Sequence, residues 1–288
     1  MDSKVKKRQL QQYIGFGILG ACALFVVIIL FIILYDIAVK GISTISWSFL
    51  SEPPRAGMTE GGILPAIIGT FFVTIITAVF SVPIGVGAAI YLSEYAQEGW
   101  LTRWIRASIR NLAGVPSIVY GLFGVALFVN TMSLGASILS AGLTLGLLTL
   151  PWIITTAEEA FQTVPKAYRE GSLALGATPW QTIRRNVLPY AFPGILTGAI
   201  LGISRAAGET APILFTGVAF FLPQLPGSLT DQFMALPYHL YIMSTQHHAI
   251  EAVRPLAYGT ALVLIILVFL LNLTAIILRY RLRKKYVR

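Results

Sequence analysis

Residues 111–157 read NLAGVPSIVYGLFGVALFVNTMSLGASILSAGLTLGLLTLPWIITTA, 47 residues without one Asp, Glu, Lys or Arg. As a single helix the stretch would run roughly 70 Å, more than twice the about 30 Å hydrocarbon core of a bilayer. It therefore predicts two membrane spans joined by a tight turn, placed near Asn130 to Gly135. Outward from it, charge-free runs give a span within residues 13–39 and one long, tilted span from Gly61 to Ser93. A fifth covers Ala191 to Leu222 and contains Arg205 and Glu209, and a sixth runs from Pro255 to Leu278. The expectation is an all-α integral membrane protein of six spans. Residues 1–12 form an inner N-terminus, 40–60 an outer loop, 61–278 the core, and 279–288 a basic tail. Within the core, 158–190 form an inner loop and 223–254 an outer one.

Composition agrees. Hydrophobic residues make up 56% of the chain and charged residues 11%, with a mean hydropathy of +0.76. Soluble proteins carry about 25% charged residues, so this chain lacks the polar surface to face water, and the same figures exclude disorder. The net charge of +9 would suit nucleic acid, but its distribution assigns it to a membrane. Lys4, Lys6, Lys7 and Arg8, then Arg103, Arg106 and Arg110, then Lys166, Arg169, Arg184 and Arg185, and the tail from Arg279 to Arg288 share one side. That side holds 17 of the 21 basic residues. Lys and Arg gather on the cytoplasmic side of spans, so both termini are expected inside, with the tail at anionic headgroups. The single cysteine excludes a disulfide framework or thiolate metal cluster. Leu19-Gly20-Ala21-Cys22 resembles a signal cleavage site. The apolar run continues from Ala23 to Tyr35, however, so retention is expected, with Cys22 facing lipid or packing.

The inner loop is too ordered to be a linker. Pro165 suits a helix's first turn, the helix continues through Tyr168, Glu170 and Leu173, and Gly176 stands where a left-handed cap belongs. Thr178, Pro179 and Gln181 then spell a second helix start with a capping box. Trp180, Ile183, Val187 and Leu188 make an apolar stripe at helical spacing, Arg184 and Arg185 suit the helix's C-terminal end, and Pro189 is expected to end it. Such a bend either lies on the headgroups or forms a docking knob for a soluble partner.

Glu170-Gly171-Ser172, Gly176 and Leu188-Pro189 resemble the loop by which permeases of binding-protein-dependent ATP-binding-cassette importers contact their ATPase subunits. That pattern is E-A-A, three residues, G, nine residues, I-x-L-P. Glu170, Gly176, Leu188 and Pro189 match in register, Gly171 and Ser172 replace small by small, and Asn186 departs from the isoleucine. Gly114 to Leu122, Leu150-Pro151 and Ser204-Arg205-Ala206-Ala207-Gly208-Glu209-Thr210-Ala211-Pro212 resemble the second permease subunit of the phosphate importers, over nearly everything from Gly61 onward. The resemblance implies alternating-access import of phosphate across the inner membrane of a prokaryote. It also implies pairing with a second related permease, two ATPase subunits that hold ATP and magnesium, and an extracytoplasmic phosphate-binding protein. The chain itself would bind no cofactor or metal.

Charges inside a membrane are costly and mark function. Arg205 and Glu209, four residues apart, are expected on one helix face, either as a pair fixing helix registry or as part of a water-lined anion path. A guanidinium presents a planar fork to phosphate oxygens, and the resemblance favours the path. Gly208 and Pro212 predict a kink there, since proline removes a helical bond; Pro83, Pro116 and Pro151 predict packing kinks in spans two, three and four.

No Gly-Lys dipeptide occurs, so the chain carries no Walker-type phosphate loop and active transport needs an external ATPase. Motifs of membrane hydrolases, G-x-S-x-G and H-E-x-x-H, are absent. His239, His247 and His248 fall in the outer loop, where the apolar run from Phe233 to Met243 predicts a partly inserted helix, with histidines on a solvated or docking surface. Three alternatives remain. One is a permease for another small solute in the same importer class. The second, an ATPase-independent transporter or channel, would not need the inner hairpin. The third, a membrane enzyme, would need clustered acids or histidines, and only Glu158 and Glu159 are adjacent.

Overall fold

The computed structural model describes the backbone of residues 2–286 and the side chains of 8, 9 and 11–281. The basic side chains of Lys4, Lys6, Lys7, Arg283, Lys284, Lys285 and Arg288 lie outside the described residues. Helix α1 (Asp2–Ile42) leads to a short helix α2 (Trp47–Ser51) and a hairpin of Pro54–Arg55 with Glu60–Gly61. Helix α3 (Leu64–Ile90) runs into a π-helical turn, Tyr91–Tyr95. Next come α4 (Trp100–Leu112), α5 (Ser117–Gly124) with a π-helical continuation to Thr131, and α6 (Ile138–Gln162). The inner hairpin is α7 (Lys166–Ala174) and α8 (Pro179–Thr182), and a π turn, Ile183–Val187, joins it to α9 (Leu188–Ala206). The chain ends with α10 (Ala211–Thr216), α11 (Leu236–Thr245) and α12 (Ile250–Tyr286).

Five helical runs, Gln11–Ile42, Leu64–Tyr95, Ile138–Gln162, Pro179–Ala206 and Ile250–Arg281, are long and apolar enough to cross a membrane, and α4 and α5 pass the same test only together, as a bent pair. That pair is bent by 100°, so the third span does not start at Asn111. It starts at Ser117, because proline disfavours helix at the residue before it. Pro116 thus stands at the N-cap of α5 rather than kinking a span. The turn expected near Asn130 to Gly135 is present, with Ser133 and Gly135 at positive φ. Pro83 and Pro151 lie inside α3 and α6, which continue through them.

Helix α6 is central. It packs between α3 and α9, α12 lies against α9, and α1 lies against α12. At the α3–α6 crossing, Gly142 and Gly146 leave no room for a Cβ against Ile76 and Phe80, and small residues four apart let helices approach closely in lipid. The Thr77 hydroxyl donates to the Gly142 carbonyl at 3.2 Å. One buried cluster, around Ile138, Leu145, Ile213 and Phe233, serves the half of the bundle where α6 begins. A second, around Ala157, Phe161, Val187 and Ala191, serves the half where α6 ends. Helix α1 stays peripheral, with Cys22 and its large apolar side chains exposed.

Three expectations are corrected. Pro189 does not end a helix: Pro179–Ala206 is one helical run. The π turn just before Pro189 widens the ladder, with the Leu188 N–H reaching the Ile183 carbonyl, where the proline ring would otherwise meet the carbonyl of Arg185. The expected inner loop is therefore mostly helix. Next, span five stops at Ala206 instead of kinking on to Leu222. The Gly208 and Glu209 N–H groups close short bonds to Arg205 and Ala206, and Pro212 stands in the first turn of α10. Gly208 and Pro212 thus bracket a break. Lastly, α12 begins at Ile250, with Pro255 already inside it.

Candidate translocation site and coupling surface

The inner hairpin is built as its sequence spells it. Gly176 has φ +83°, the left-handed conformation glycine enters without penalty. Beyond it the Thr178 hydroxyl accepts from the Gln181 N–H at 3.3 Å, and Gln181 Oε1 accepts from the Thr178 N–H at 3.0 Å, a closed capping box. The Thr182 hydroxyl donates to Ser172 Oγ at 3.0 Å across the bend. Of the apolar stripe, Ile183, Val187 and Leu188 pack inward, while Trp180 is exposed and joins Tyr168, Leu173 and Leu175 on the free face. Glu170 and Gly171 are exposed there too; Leu188 and Pro189 form the partly buried root of α9.

Two arginines the sequence reading used only as orientation charges hold this hairpin and α4 to the core. Arg169 grips Glu94, in the π turn after α3, with Nε at 2.9 Å and Nη2 at 2.6 Å, and donates to the carbonyls of Val164 and Phe161 at 2.9 and 3.0 Å. The Glu94 side chain is 7% exposed. Arg106 of α4 donates to Glu158 of α6 at 2.7 Å, to Glu98 at 3.2 Å and to the Leu92 carbonyl at 2.9 Å. Both arginines therefore converge on the π turn that follows α3. Seventy-five residues separate Glu94 from Arg169, so no local signal announced the pair.

Arg205 stands in the last turn of α9 and Glu209 in the break beyond it. Their closest approach is 3.7 Å, with the arginine side chain 66% exposed, and among the described residues the Arg205 guanidinium makes no hydrogen bond. The pair is not a buried bolt within this chain. It opens on a cavity of about 270 Å³, lined by the Ala113–Ser117 turn, by Leu148, Thr149 and Trp152 of α6, and by Gly202. Thr149 and Trp152 sit midway along α6, so the cavity lies halfway along that helix. Trp152 is fixed by its indole N–H to the Gly198 carbonyl at 3.2 Å.

Two of the three histidines are buried, which corrects the sequence reading for them, while His248 is exposed. His239 and His247 are 3% and 4% exposed, and His247 Nε2 lies 2.7 Å from the Gly57 carbonyl. Burial of α11 against its neighbours, and then the nearby His247, lowers the His239 pKa to about 4. No group of three potential metal ligands occurs among the described residues.

Residues 81–288 match the family described as "Binding-protein-dependent transport system inner membrane component". The chain belongs to this family. It is a permease subunit of ATP-binding-cassette importers, whose ATPase is a separate subunit and whose solute arrives on a binding protein. The permease is 33% identical over 280 residues to the probable ABC transporter permease protein YqgI of Bacillus subtilis, covering 93% of this chain and 95% of that one. It is 38% identical over 223 residues to the phosphate transport system permease protein PstA 1 of Mycobacterium tuberculosis, covering 76% and 71%. Over 260 residues it is 33% identical to the probable phosphate transport system permease protein PstA of Methanocaldococcus jannaschii, covering 90% of each. Among solved structures, a chain of the inward-facing MetNI methionine ABC transporter superposes with a TM-score of 0.61 at 19% identity, over 76% of this chain and 97% of that one. That likeness is one of fold.

Proposed function

We propose that the permease carries inorganic phosphate inward across the cytoplasmic membrane by alternating access, with both termini in the cytoplasm. The observation that carries this reading is Arg205, a cation that faces the cavity halfway along α6 and whose guanidinium has no hydrogen bond among the described residues. The relatives named as phosphate transport permeases support the substrate. A guanidinium stays charged and matches two oxyanion oxygens at once, while Glu209 balances it at rest and keeps it from becoming a trap, since conduction needs release as well as binding. Two related permeases of one organism, YqgI and YqgH, both match this chain, at 33% and 34% identity, which supports pairing with a second, related permease. ATP and magnesium sit on two partner ATPase subunits, and an extracytoplasmic phosphate-binding protein delivers the solute.

The partner ATPase grips the exposed face around Glu170, Gly171, Ser172 and Gly176. Its closure moves the hairpin, Arg169 passes that motion to Glu94 at the end of α3, and the root Leu188–Pro189 passes it to α9, whose far end holds Arg205. Radiolabelled phosphate uptake into vesicles holding the complete importer tests the reading. Arg205→Gln is expected to lower uptake by about 10- to 100-fold, matching the roughly 1.5–3 kcal/mol of a charge-assisted hydrogen bond, with the complex still assembled. Undiminished uptake would remove Arg205 from the path, and dissociation of the complex would make it a structural pair instead.

A further inference from the structure

Helix α4 is not absorbed by the transport path. Trp100, Leu101, Trp104, Ser108 and Leu112 fall within one arc of the helix, given 3.6 residues per turn, and all five are exposed, Trp100 by 73% and Trp104 by 67%. Arg103 and Arg110, seven residues apart, share a neighbouring edge and are exposed as well. The remaining side faces the protein: Thr102 is buried and its hydroxyl donates to the Gln97 carbonyl at 2.8 Å, and Arg106 is bolted to Glu158, Glu98 and the Leu92 carbonyl. Those acids are engaged by Arg106, and among the described residues Arg103 and Arg110 have no ion-pair partner. Helix α4 meets the membrane-crossing α5 at 100°, so it runs across the direction of the spans.

We infer that α4 is an interfacial helix that lies in the inner leaflet and binds anionic phospholipid. A helix parallel to the membrane buries an apolar face just below the headgroups and keeps basic residues at their level. Tryptophan favours that depth, and anionic lipids are concentrated on the cytoplasmic leaflet. The two exposed tryptophans, the basic edge and the perpendicular setting each fit that surface, whereas a soluble partner would have no use for the setting. The Ala113–Pro116 turn then ties the anchored helix to the cavity wall, so lipid holds one wall of the cavity while the hairpin moves another. The inner-leaflet assignment rests on the proposed orientation.

A spin label at position 108 (Ser108→Cys in a Cys22→Ser background) reports the depth of α4 in the reconstituted complex. Its accessibility to oxygen, relative to a water-soluble nickel chelate, is expected to rise severalfold between zwitterionic vesicles and vesicles one-third phosphatidylglycerol. Arg103→Gln together with Arg110→Gln is expected to abolish that rise. A label open to nickel in both vesicles, one shielded from both reagents by a protein partner, or a rise that survives the double substitution would each overturn the proposal. The orientation is read separately, from the side at which an impermeant thiol reagent reaches residue 108. Labelling from outside, with the lipid response intact, would overturn the topology and leave the lipid contact standing.

Discussion

Two of the permease's Arg–Glu pairs share their chemistry and are built in opposite ways. At the hairpin end, Arg169 and Glu94 meet through two nitrogens at 2.6 and 2.9 Å, with both side chains largely shielded and the leftover donors satisfied by carbonyls. Halfway along α6, Arg205 and Glu209 approach only to 3.7 Å, and the arginine is mostly exposed to a cavity. A bidentate, shielded pair holds its geometry, because breaking it strands a desolvated charge. A loose, exposed pair holds almost nothing and leaves its cation available. Under the proposed function, the difference separates a joint that transmits motion from a site that meets solute.

Deleting one partner gives the sharpest contrast. Glu94→Ala leaves Arg169 facing only carbonyls among shielded groups, and breaking such a pair costs about 3–5 kcal/mol. The hairpin is expected to loosen, seen as faster proteolysis between Val164 and Gly176, a lower unfolding midpoint, and failure to hold the ATPase. Replacing both, with Arg169→Met added, is expected to recover much of the stability without the coupling. A Glu94→Ala protein as stable as one altered at Glu209 would break the comparison.

His239 supplies a third way to bury a polar group, with no charged partner at all; its Nδ1 has no hydrogen-bond partner among the described residues. The fold holds the ring neutral, with the pKa down at about 4 from 6.5. An unfolded chain binds the proton first as pH falls, so the contribution is full above pH 6.5 and is lost as pH drops from 6.5 toward 4. At about 1.4 kcal/mol per unit, the loss is roughly 3 kcal/mol over that window. Unfolding midpoints of the wild type at pH 7.5 and 5 are expected to differ more than those of His239→Leu; equal differences would remove His239 as the source.

What the sequence made legible was local. The capping box at Thr178 and Gln181 and the left-handed bend at Gly176 lie within a few residues, and the spans follow from charge-free length. Illegible were arrangements set by distant partners: the grip of Arg169 on Glu94, that of Arg106 on Glu158, and the burial of His239 under neighbours far along the chain. The break after Ala206 lies between these cases. Gly208 and Pro212 announced a disturbance, but packing of α10 onto α5, where Gly121 meets Pro212 and Phe215, turned a kink into a full stop.

The bend itself is expected to matter less to stability than either buried group. A Cβ at Gly176 would meet nothing within 4 Å, so Gly176→Val costs only the left-handed backbone strain, about 1–2 kcal/mol. Uptake is nonetheless expected to fail while the protein still inserts, because the strain is relieved by reshaping the surface the ATPase grips. Undiminished uptake would contradict the docking role.

The smallest structural effect is expected at Glu209, and there the comparison is most exposed to refutation. Glu209→Gln removes a charge from a pair whose arginine is largely solvated, so the unfolding midpoint is expected to move by the equivalent of less than about 1 kcal/mol. The functional effect runs the other way. With its counter-charge gone, Arg205 holds an anion more tightly and releases it more slowly, so the KM for uptake falls and the maximal rate falls with it. A purely structural pair predicts neither change. Measuring KM and maximal rate beside the unfolding midpoint separates the cases: a large loss of stability with KM unmoved would make the Arg205–Glu209 pair a second bolt, built like the one at Glu94.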